Sequence, residues 1–291
     1  MASPDLRIAL IQMHPVPLDA ERNFETASKH IHEASTKGAV LAVLPEYHLT
    51  GWQPEDPRFR SIASQADEYL AKYCELARRC AINIVPGTIL SLSGSASTGM
   101  LNKAYFISSS GEVLGEYTKT NLWHPEREHL LSGPDHRGAT TGPHHEVIDT
   151  PIGPIGLLIC YDLFWPEATR ELAKAGAKLI IIPTFTKMDD PSPLARSYNP
   201  HGEALFTESA LITRAFECTA AMVYCNVGGP KEEGFMGLSS VVLPIVGRVK
   251  GSLNTADEGV AIVDVDMNAL EVAEQNYKIR EDLCKKTFHY K

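Results

Sequence analysis

The sequence has 291 residues, of which 44% are hydrophobic and 22% are charged, as is typical of a soluble globular protein. Its 27 basic and 36 acidic residues give a formal net charge of −9, which disfavours binding to nucleic acid or to anionic lipid. No segment approaches the roughly 18 consecutive apolar residues of a transmembrane helix, so a membrane protein is not expected.

The N-terminal sequence MASPDLRIALIQM predicts a first β-strand and not a signal peptide, because Asp5 and Arg7 precede only a short apolar run. With six cysteines and no export signal, we expect a cytoplasmic protein with reduced thiols and no disulfide framework. No linker or shift in composition marks a domain boundary. We therefore expect a single domain over residues 1–291, with a short C-terminal tail from about residue 284.

In the first half of the chain, apolar runs of strand length alternate with segments of helical period. Strands are predicted at LRIALIQM, AVLAVLP and INIVPGTIL, with helices between them at about residues 23–37, ending at Gly38, and 66–80. LNKAYFIS and EVLGEYTK then flank Ser-Ser-Gly, as the two strands of a hairpin would. The opening is therefore β-α-β, followed by an antiparallel segment.

The second half returns to the β-α-β pattern. IGLLIC, a helix over about residues 165–175 and AKLIIIP form one unit, and a helix over about 203–217 leads into the strand TAAMVYCN. The strands GLSSVVLP and GVAIVDVD follow, and a helix is predicted from Met267. These elements predict an α/β fold with a mixed sheet, covered by helices on at least one face.

Cys160 ends the apolar run IGLLIC and comes shortly before Pro166 and Glu167, a pair typical of a helix N-terminus. A strand-to-helix turn exposes its side chain at a sheet edge, and a helix N-terminus favours a thiolate, so Cys160 is a candidate nucleophile. The alternative is a small buried hydrophobe, as free cysteines often are. That packing role is what we expect of Cys74, Cys80, Cys218 and Cys225.

A cysteine nucleophile needs a base, which is usually histidine. Five of the eleven histidines lie in one segment rich in Gly, Pro and charge: His124, His129, His136, His144 and His145. The segment has no HExxH or CxxC pattern, so a solvated loop is favoured over a metal site. A papain-like Cys-His pair stays open, because no spacing selects one histidine.

Two other charged residues follow predicted strands. Glu46 comes directly after AVLAVLP, and burial there would raise its proton affinity, which suits it to accept a proton from a thiol. Lys119 ends EVLGEYTK and could stabilise the oxyanion of a tetrahedral intermediate. The alternatives are a solvent-facing glutamate and a solvated lysine.

Taken together, these segments resemble the nitrilase superfamily of carbon-nitrogen hydrolases, in its amidase and carbamoylase branch. LPEYHLTG is similar to the glutamate motif of that family, YTKTNL to its lysine motif and LLICYDLFWPE to its cysteine motif, in the order of the family. Weaker similarities include Asn102, TRAFE, Asn226, Gly228, FMGLSS and GVAIVDVDM, so the resemblance extends from about Leu6 to Leu283. Three motifs with matching spacers are a specific signal.

The resemblance implies that Cys160 is the nucleophile, Glu46 the general base and Lys119 the oxyanion stabiliser. It also implies a second glutamate between the lysine and cysteine motifs, for which Glu126 is the better match and Glu128 the alternative. The backbone N–H of Tyr161 would assist Lys119. No metal and no cofactor are implied.

The resemblance also bears on the substrate. Tyr161 and Asp162 after the cysteine are similar to amide and carbamoyl hydrolases, whereas nitrile-cleaving relatives commonly have Trp-Glu. Phe164 stands where relatives that act on ω-amides of dicarboxylates tend to have Arg. An apolar wall of Phe164, Trp165 and Phe185 would select a neutral or aliphatic acyl group; the alternative is that these are core aromatics.

The segment after AKLIIIP, TFTKMDDPSPLARSYNPHGE, is rich in Pro, Asp and Ser, as a long functional loop or lid is. In the family the strand end before this loop borders the pocket, so Thr184 and Phe185 are candidate substrate-binding residues, beside Tyr161 and Phe164. Lys187 or Arg196 could supply a cation that Phe164 does not.

The resemblance implies an α-β-β-α sandwich with mixed sheets, whose protomers pair through helices into a homodimer or a larger homo-oligomer. We predict a cysteine-dependent hydrolase of non-peptide C–N bonds in small linear amides or N-carbamoyl amides, which acts through a thioester and releases ammonia or an amine. The alternatives are a nitrilase and a catalytically silent binding member of the fold, because fold alone does not establish function.

Overall fold

The computed structural model of the protein describes residues 6–94, 99–137 and 144–288. Within these residues one β-sheet has seven strands, β1 (Leu6–Gln12), β2 (Leu41–Val43), β3 (Asn83–Val85), β4 (Thr88–Leu92), β5 (Met100–Ile107), β6 (Val113–Thr118) and β13 (Gly259–Val265). Its strand order is β13-β1-β2-β3-β5-β4, and β6 also pairs with β5. The sheet is mixed, because β1, β2 and β3 are parallel and the remaining pairings are antiparallel.

The second sheet has six strands within the described residues, β7 (Val147–Thr150), β8 (Gly153–Leu157), β9 (Leu179–Thr184), β10 (Ala221–Asn226), β11 (Ser240–Leu243) and β12 (Gly247–Arg248). They lie in the order β12-β11-β10-β9-β8-β7. The central strands β8, β9 and β10 are parallel, and antiparallel strands complete both edges.

The α-helices of the described residues are α1 (Ala20–Thr36), α2 (Pro57–Ala63), α3 (Ala66–Cys80), α4 (Gly133–Arg137), α5 (Pro166–Lys174), α6 (Pro193–Tyr198), α7 (Gly202–Cys218), α8 (Asn268–Tyr277) and α9 (Ile279–Cys284). Three 3-10 helices lie at His124–Glu128, Cys160–Phe164 and Lys231–Glu233. No helix of this part of the chain is both long and apolar enough to span a membrane.

Side chains of β1 alternate between two apolar cores, and this alternation sets the order of layers. Ile8 and Leu10 pack in a core that also holds residues of β8 to β11, so it lies between the two sheets. Ala9 and Ile11 pack in a second core with α1 and α3. Residues of α5 and α7 pack with the second sheet, so the molecule is an α-β-β-α sandwich, as expected.

Most predicted elements are confirmed. The helix predicted at 66–80 has those bounds, while α1 begins three residues before the predicted start because the Asp19 side chain caps it by accepting from Arg22 N. The buried thiols Cys218 and Cys225 confirm their packing role, and the half-buried Cys74 and Cys80 pack against the core under α1 and α3. Of the predicted tail, Phe288 packs against the inter-sheet core, and residues 289–291 lie outside the described residues.

The prediction of one strand at INIVPGTIL was wrong, because the chain turns at Gly87 to form β3 and β4. Gly87 has φ +62°, and a Cβ there would lie 1.9 Å from the carbonyl oxygen of Pro45. Only glycine allows both the left-handed backbone and this approach. The turn therefore packs directly against the segment that carries Glu46, where the backbone N–H of Tyr47 donates to Thr88 Oγ1 at 3.1 Å.

Candidate active site

Three chain segments, two that follow strands of the first sheet and one that follows a strand of the second, meet at one end of the sandwich. Glu46 follows β2, Lys119 follows β6 and Cys160 follows β8. The backbone N–H of Glu46 donates to the carbonyl oxygen of Thr184 at 3.3 Å, which joins the segment after β2 to the end of β9 in the other sheet. Carboxyl ends of parallel strands are where α/β proteins place their sites.

Lys119 lies between two carboxylates in the interior. Its Nζ is 2.8 Å from Glu46 Oε1 and 2.7 Å from Glu126 Oε1, and all three side chains are almost fully buried. Glu126 also accepts from the Tyr47 hydroxyl at 2.5 Å and from Trp123 N at 2.7 Å. Glu128, the alternative second glutamate, is exposed at the end of the same 3-10 helix, so Glu126 is the residue that contacts the lysine.

Glu46 is held by donors on both carboxylate oxygens. Asn102 Nδ2 donates to Oε1 at 2.8 Å and the backbone N–H of Phe185 donates to Oε2 at 2.9 Å. Burial raises the pKa of Glu46 to about 7, while the Lys119 ammonium acts in the opposite direction. A carboxyl group with this pKa can accept and return a proton near neutral pH.

The ammonium of Lys119 stays charged despite its burial. Burial by itself lowers the pKa of Lys119, but the carboxylates of Glu126 and Glu46 outweigh it and raise this pKa well above its ordinary value. The side chain is therefore a fixed positive charge beside the thiol, and its hydrogen bonds to two carboxylates fix its direction.

Cys160 begins the 3-10 helix Cys160–Phe164 and has φ +48°, a left-handed conformation that is uncommon for a residue with a Cβ. Its Sγ is 3.6 Å from Thr186 Oγ1 and 4.0 Å from the carbonyl oxygen of Phe185. Burial and the nearby Glu46 raise the pKa of the Cys160 thiol well above its ordinary value, although Lys119 lowers it. The resting group is therefore a thiol, from which a base must remove the proton before attack.

Asp162 fixes the turn that carries Cys160. Its carboxylate accepts from Ile159 N at 3.0 Å, the Tyr117 hydroxyl at 2.9 Å, and the backbone and side-chain nitrogens of Asn121 at 2.8 and 2.9 Å. Asn121 lies two residues after Lys119, so this buried carboxylate joins the lysine and cysteine segments. The sequence motif contained Asp162, but its spacing alone did not reveal this contact.

A cleft of about 720 Å³ opens onto this cluster. Glu46, Lys119, Glu126 and Cys160 all line it, and so do three of the four expected substrate-binding residues, Tyr161, Phe164 and Phe185. Phe164 stacks on Phe206 with ring centroids 4.3 Å apart. Tyr47, Trp52 and Phe235 add further aromatic surface. The volume is that of a small-molecule site.

The fourth expected substrate-binding residue, Thr184, does not line the cleft. It lies buried at the end of β9, where its hydroxyl donates to the carbonyl oxygen of Ile182 at 3.2 Å. Thr186, two residues later and beyond the end of the strand, lines the cleft instead. The strand end was correctly located, but the sequence did not show where the chain leaves the sheet.

Two other expectations need correction. Trp165 does not line the cleft, and at 42% exposure it is not a core aromatic either. Phe206 from α7, which stacks on Phe164, completes the apolar wall in its place. Of the two candidate cations, Lys187 lines the cleft, with its Nζ 3.6 Å from Asp189 Oδ1, whereas Arg196 on α6 does not.

None of the five clustered histidines contacts Cys160 or lines the cleft. His145 Nδ1 lies 2.6 Å from Glu171, and His129 Nε2 lies 3.3 Å from Glu55. Among the described residues, Cys160 is thus not paired with any of these histidines, and no group of three or more His, Cys, Asp or Glu side chains could hold a metal ion. His14, which the sequence did not single out, does line the cleft.

Known proteins match this chain over almost its whole length. A sequence model of the carbon-nitrogen hydrolase family matches residues 7–275. A protein named probable nitrilase from Schizosaccharomyces pombe is 28% identical over 277 residues, 93% of this chain and 92% of the relative. The deaminated glutathione amidase of Bos taurus is 31% identical over 280 residues, 91% of this chain and 77% of the relative.

Among solved structures, a variant of the amidase from Nesterenkonia sp. superposes with a TM-score of 0.74 at 25% sequence identity and covers 95% of this chain and 99% of its own. That structure is described as showing covalent addition of the acetamide moiety of fluoroacetamide at the active site cysteine of the Nesterenkonia enzyme. The sequence and the fold thus lead to the same group of proteins.

Proposed function

Because this chain belongs to the carbon-nitrogen hydrolase family, we propose that it hydrolyses small linear amides or N-carbamoyl amides, with Cys160 as the nucleophile. The observation that supports this most is the convergence of a thiol, a carboxylate of raised pKa and a buried ammonium at the base of one cleft. These are the groups that acyl transfer through a thioester needs.

In the proposed reaction, the Cys160 sulfur attacks the amide carbon while the thiol proton passes to Glu46. The carbonyl electrons move to oxygen, where the Lys119 ammonium and the backbone N–H of Tyr161 stabilise the charge. Glu46 returns the proton to nitrogen, and ammonia or an amine leaves. A water molecule, deprotonated by Glu46, then attacks the thioester carbon, the C–S bond breaks, the acid leaves, and Glu46 returns the proton to the Cys160 sulfur.

The environment of Glu46 is consistent with its accepting a proton first from the thiol and then from the hydrolytic water. With a pKa of about 7, the carboxylate is ionised in most molecules at pH 8 and so can accept the thiol proton. Glu126 does not contact the sulfur, but its bond to Lys119 and its contact with Tyr47 place it beside the reacting groups. We assign it to orienting Lys119 and the substrate amide.

Charges along the cleft disfavour a substrate with a free carboxylate. Apart from the lysine cluster, the lining residues of the described chain include one lysine, Lys187, and four acidic side chains, Asp189, Asp190, Glu203 and Glu233. Phe164 stands where a cation would otherwise pair with a substrate carboxylate. A neutral or amine-bearing acyl chain against the stacked Phe164 and Phe206 fits this surface.

Ammonia release from chain-length-matched substrates tests the function. At pH 8 we expect the protein to hydrolyse pentanamide and 5-aminopentanamide, and to hydrolyse glutaramate at least roughly ten-fold more slowly, because its carboxylate meets like charges. N-carbamoyl amines and pentanenitrile complete the panel. Turnover of the nitrile alone would indicate a nitrilase, and no ammonia from any compound would indicate a catalytically silent protein.

We also propose that α6 and α7 pair with a second copy of the chain. Besides Phe206, which lines the cleft, their exposed apolar side chains are Leu194, Tyr198, Leu205, Ile212 and Phe216. Apolar surface of this kind on neighbouring helices is typical of protein interfaces. We expect a dimer by sedimentation velocity, and Ile212→Glu to shift it to monomer; a wild-type monomer at all concentrations would contradict this pairing.

A further inference from the structure

We propose that Thr186 is a catalytic residue, whose side-chain hydroxyl donates a hydrogen bond to the Cys160 sulfur as the thiolate forms and attacks. The inference rests on the proposed function, since it assigns a role to a group that contacts the nucleophile. Thr186 Oγ1 lies 3.6 Å from Cys160 Sγ, within the range of a hydrogen bond to sulfur, and Thr186 lines the cleft. No sequence motif singled it out.

The backbone of Thr186 is held independently of its side chain. Its N–H donates to Asn226 Oδ1 at 2.9 Å, and Asn226 Nδ2 donates to the Thr186 carbonyl oxygen at 2.9 Å and to that of Gly237 at 3.0 Å. Asn226 is fully buried at the end of β10. The hydroxyl is therefore presented to the sulfur by a rigid backbone, and a change of the side chain leaves this clamp intact.

The charged groups around Cys160 do not by themselves favour a thiolate, so a neutral hydrogen-bond donor can contribute to stabilising it. Glu46 and Glu126 oppose a negative charge on sulfur, and Lys119 favours it, but the ammonium is shared with both carboxylates. Burial raises the pKa of the Tyr47 and Tyr224 phenols, and a negative charge on the Cys160 sulfur adds to this effect. Because Thr186 is neutral, its hydroxyl can stabilise the thiolate without adding a further charge to this buried cluster.

Thr186 keeps its proton throughout the reaction. The thiol proton passes to Glu46, the new bond forms between sulfur and the amide carbon, and the carbonyl electrons move to oxygen. The hydroxyl hydrogen points to sulfur while the charge is there. When the thioester has formed, the hydrogen bond weakens, because sulfur is then neutral.

Alkylation of Cys160 by iodoacetamide as a function of pH tests the contact, with the Cys160 peptide followed by mass spectrometry. We expect Thr186→Val, which keeps the shape and removes the hydroxyl, to react about ten-fold more slowly at pH 8 and to move the inflection to higher pH. Thr186→Ser keeps the hydroxyl and should stay within about three-fold of wild type. Turnover of pentanamide should follow the same order, through kcat and not KM.

Thr169→Val is the matched control, because it makes the same change at a buried threonine outside the cleft. The Thr169 hydroxyl on α5 donates to the carbonyl oxygen of Pro166 at 3.1 Å, so its removal should change alkylation of Cys160 less than about two-fold. Wild-type reactivity and pH dependence in Thr186→Val, or equal losses in the Val and Ser variants, would overturn the proposal. Alkylation of Cys160 does not require the protein to turn over any substrate, so it tests the Thr186 contact separately from the amidase function. If Cys160 reactivity depends on Thr186 but no amide is hydrolysed, the amidase function is refuted and the Thr186 contact is not.

Discussion

Cys160→Ala is expected to abolish ammonia release from amides, by roughly ten-thousand-fold or more, while the protein remains folded. Without the sulfur no thioester forms, and Glu46 and Lys119 have no nucleophile to activate. The half-buried side chain loses one atom, so the unfolding midpoint should change little. Steady-state ammonia assays and thermal unfolding of both proteins check the two halves of this expectation.

The control is Cys284→Ala, because Cys284 is exposed on α9, where its sulfur is 3.7 Å from the carbonyl oxygen of Lys174. This variant should keep wild-type turnover. Treatment with fluoroacetamide should add an acetamide group to the wild-type protein at the Cys160 peptide and leave that peptide of Cys160→Ala unmodified. Turnover near the wild-type level in Cys160→Ala would remove this residue from the mechanism.

Lys119→Met is expected to lower the free energy of unfolding by about 3–5 kcal/mol at pH 8 and to abolish turnover. Methionine fills the space of the lysine, but Glu46 and Glu126 then remain buried without the ammonium that lies within 2.8 Å of each. Urea unfolding at several pH values measures the loss.

The loss should become smaller as the pH falls from 8 towards 6. The Lys119 ammonium opposes the effect of burial on the Glu46 pKa, which is about 7 in the wild-type protein, so loss of the ammonium raises the Glu46 pKa further in the variant. As the pH falls from 8, Glu46 of the folded variant therefore takes up its proton before Glu46 of folded wild type does, while the two unfolded chains titrate alike, so lower pH stabilises the variant relative to wild type. Adding Glu126→Gln should restore part of the stability at pH 8, because one of the unpaired charges is gone.

Lys103→Met provides the comparison. Lys103 on β5 pairs with Glu116 at 2.8 Å in the same sheet, but the glutamate is half exposed. A pair of this kind contributes about 0–1 kcal/mol, so the variant should stay close to wild type at all pH values. Equal effects of the two lysine substitutions would mean that the buried cluster does not hold the ionised groups assigned to it.

Local patterns in the sequence were sufficient to predict most elements of the fold. Helix α3 has the predicted bounds, and the β5–β6 hairpin and the β-α-β unit around Cys160 are present, because apolar period and turn residues act over a few positions. Short elements without strong periodicity were not predicted, such as α2, α6 and β7. The turn at Gly87 was not predicted, because the close contact that requires glycine there is with Pro45, which is far away in the chain.

For the candidate site, the order and spacing of three motifs determined that Glu46, Lys119 and Cys160 belong to one family pattern, and favoured Glu126 over Glu128. Only the tertiary structure decided that these side chains meet, that burial raises the Glu46 pKa to about 7, and that Thr186 rather than Thr184 faces the cleft. The physical reason is that contact and desolvation depend on how strands of two sheets end side by side. Those strands are far apart in the chain, and no local pattern of residues encodes the distance between their ends.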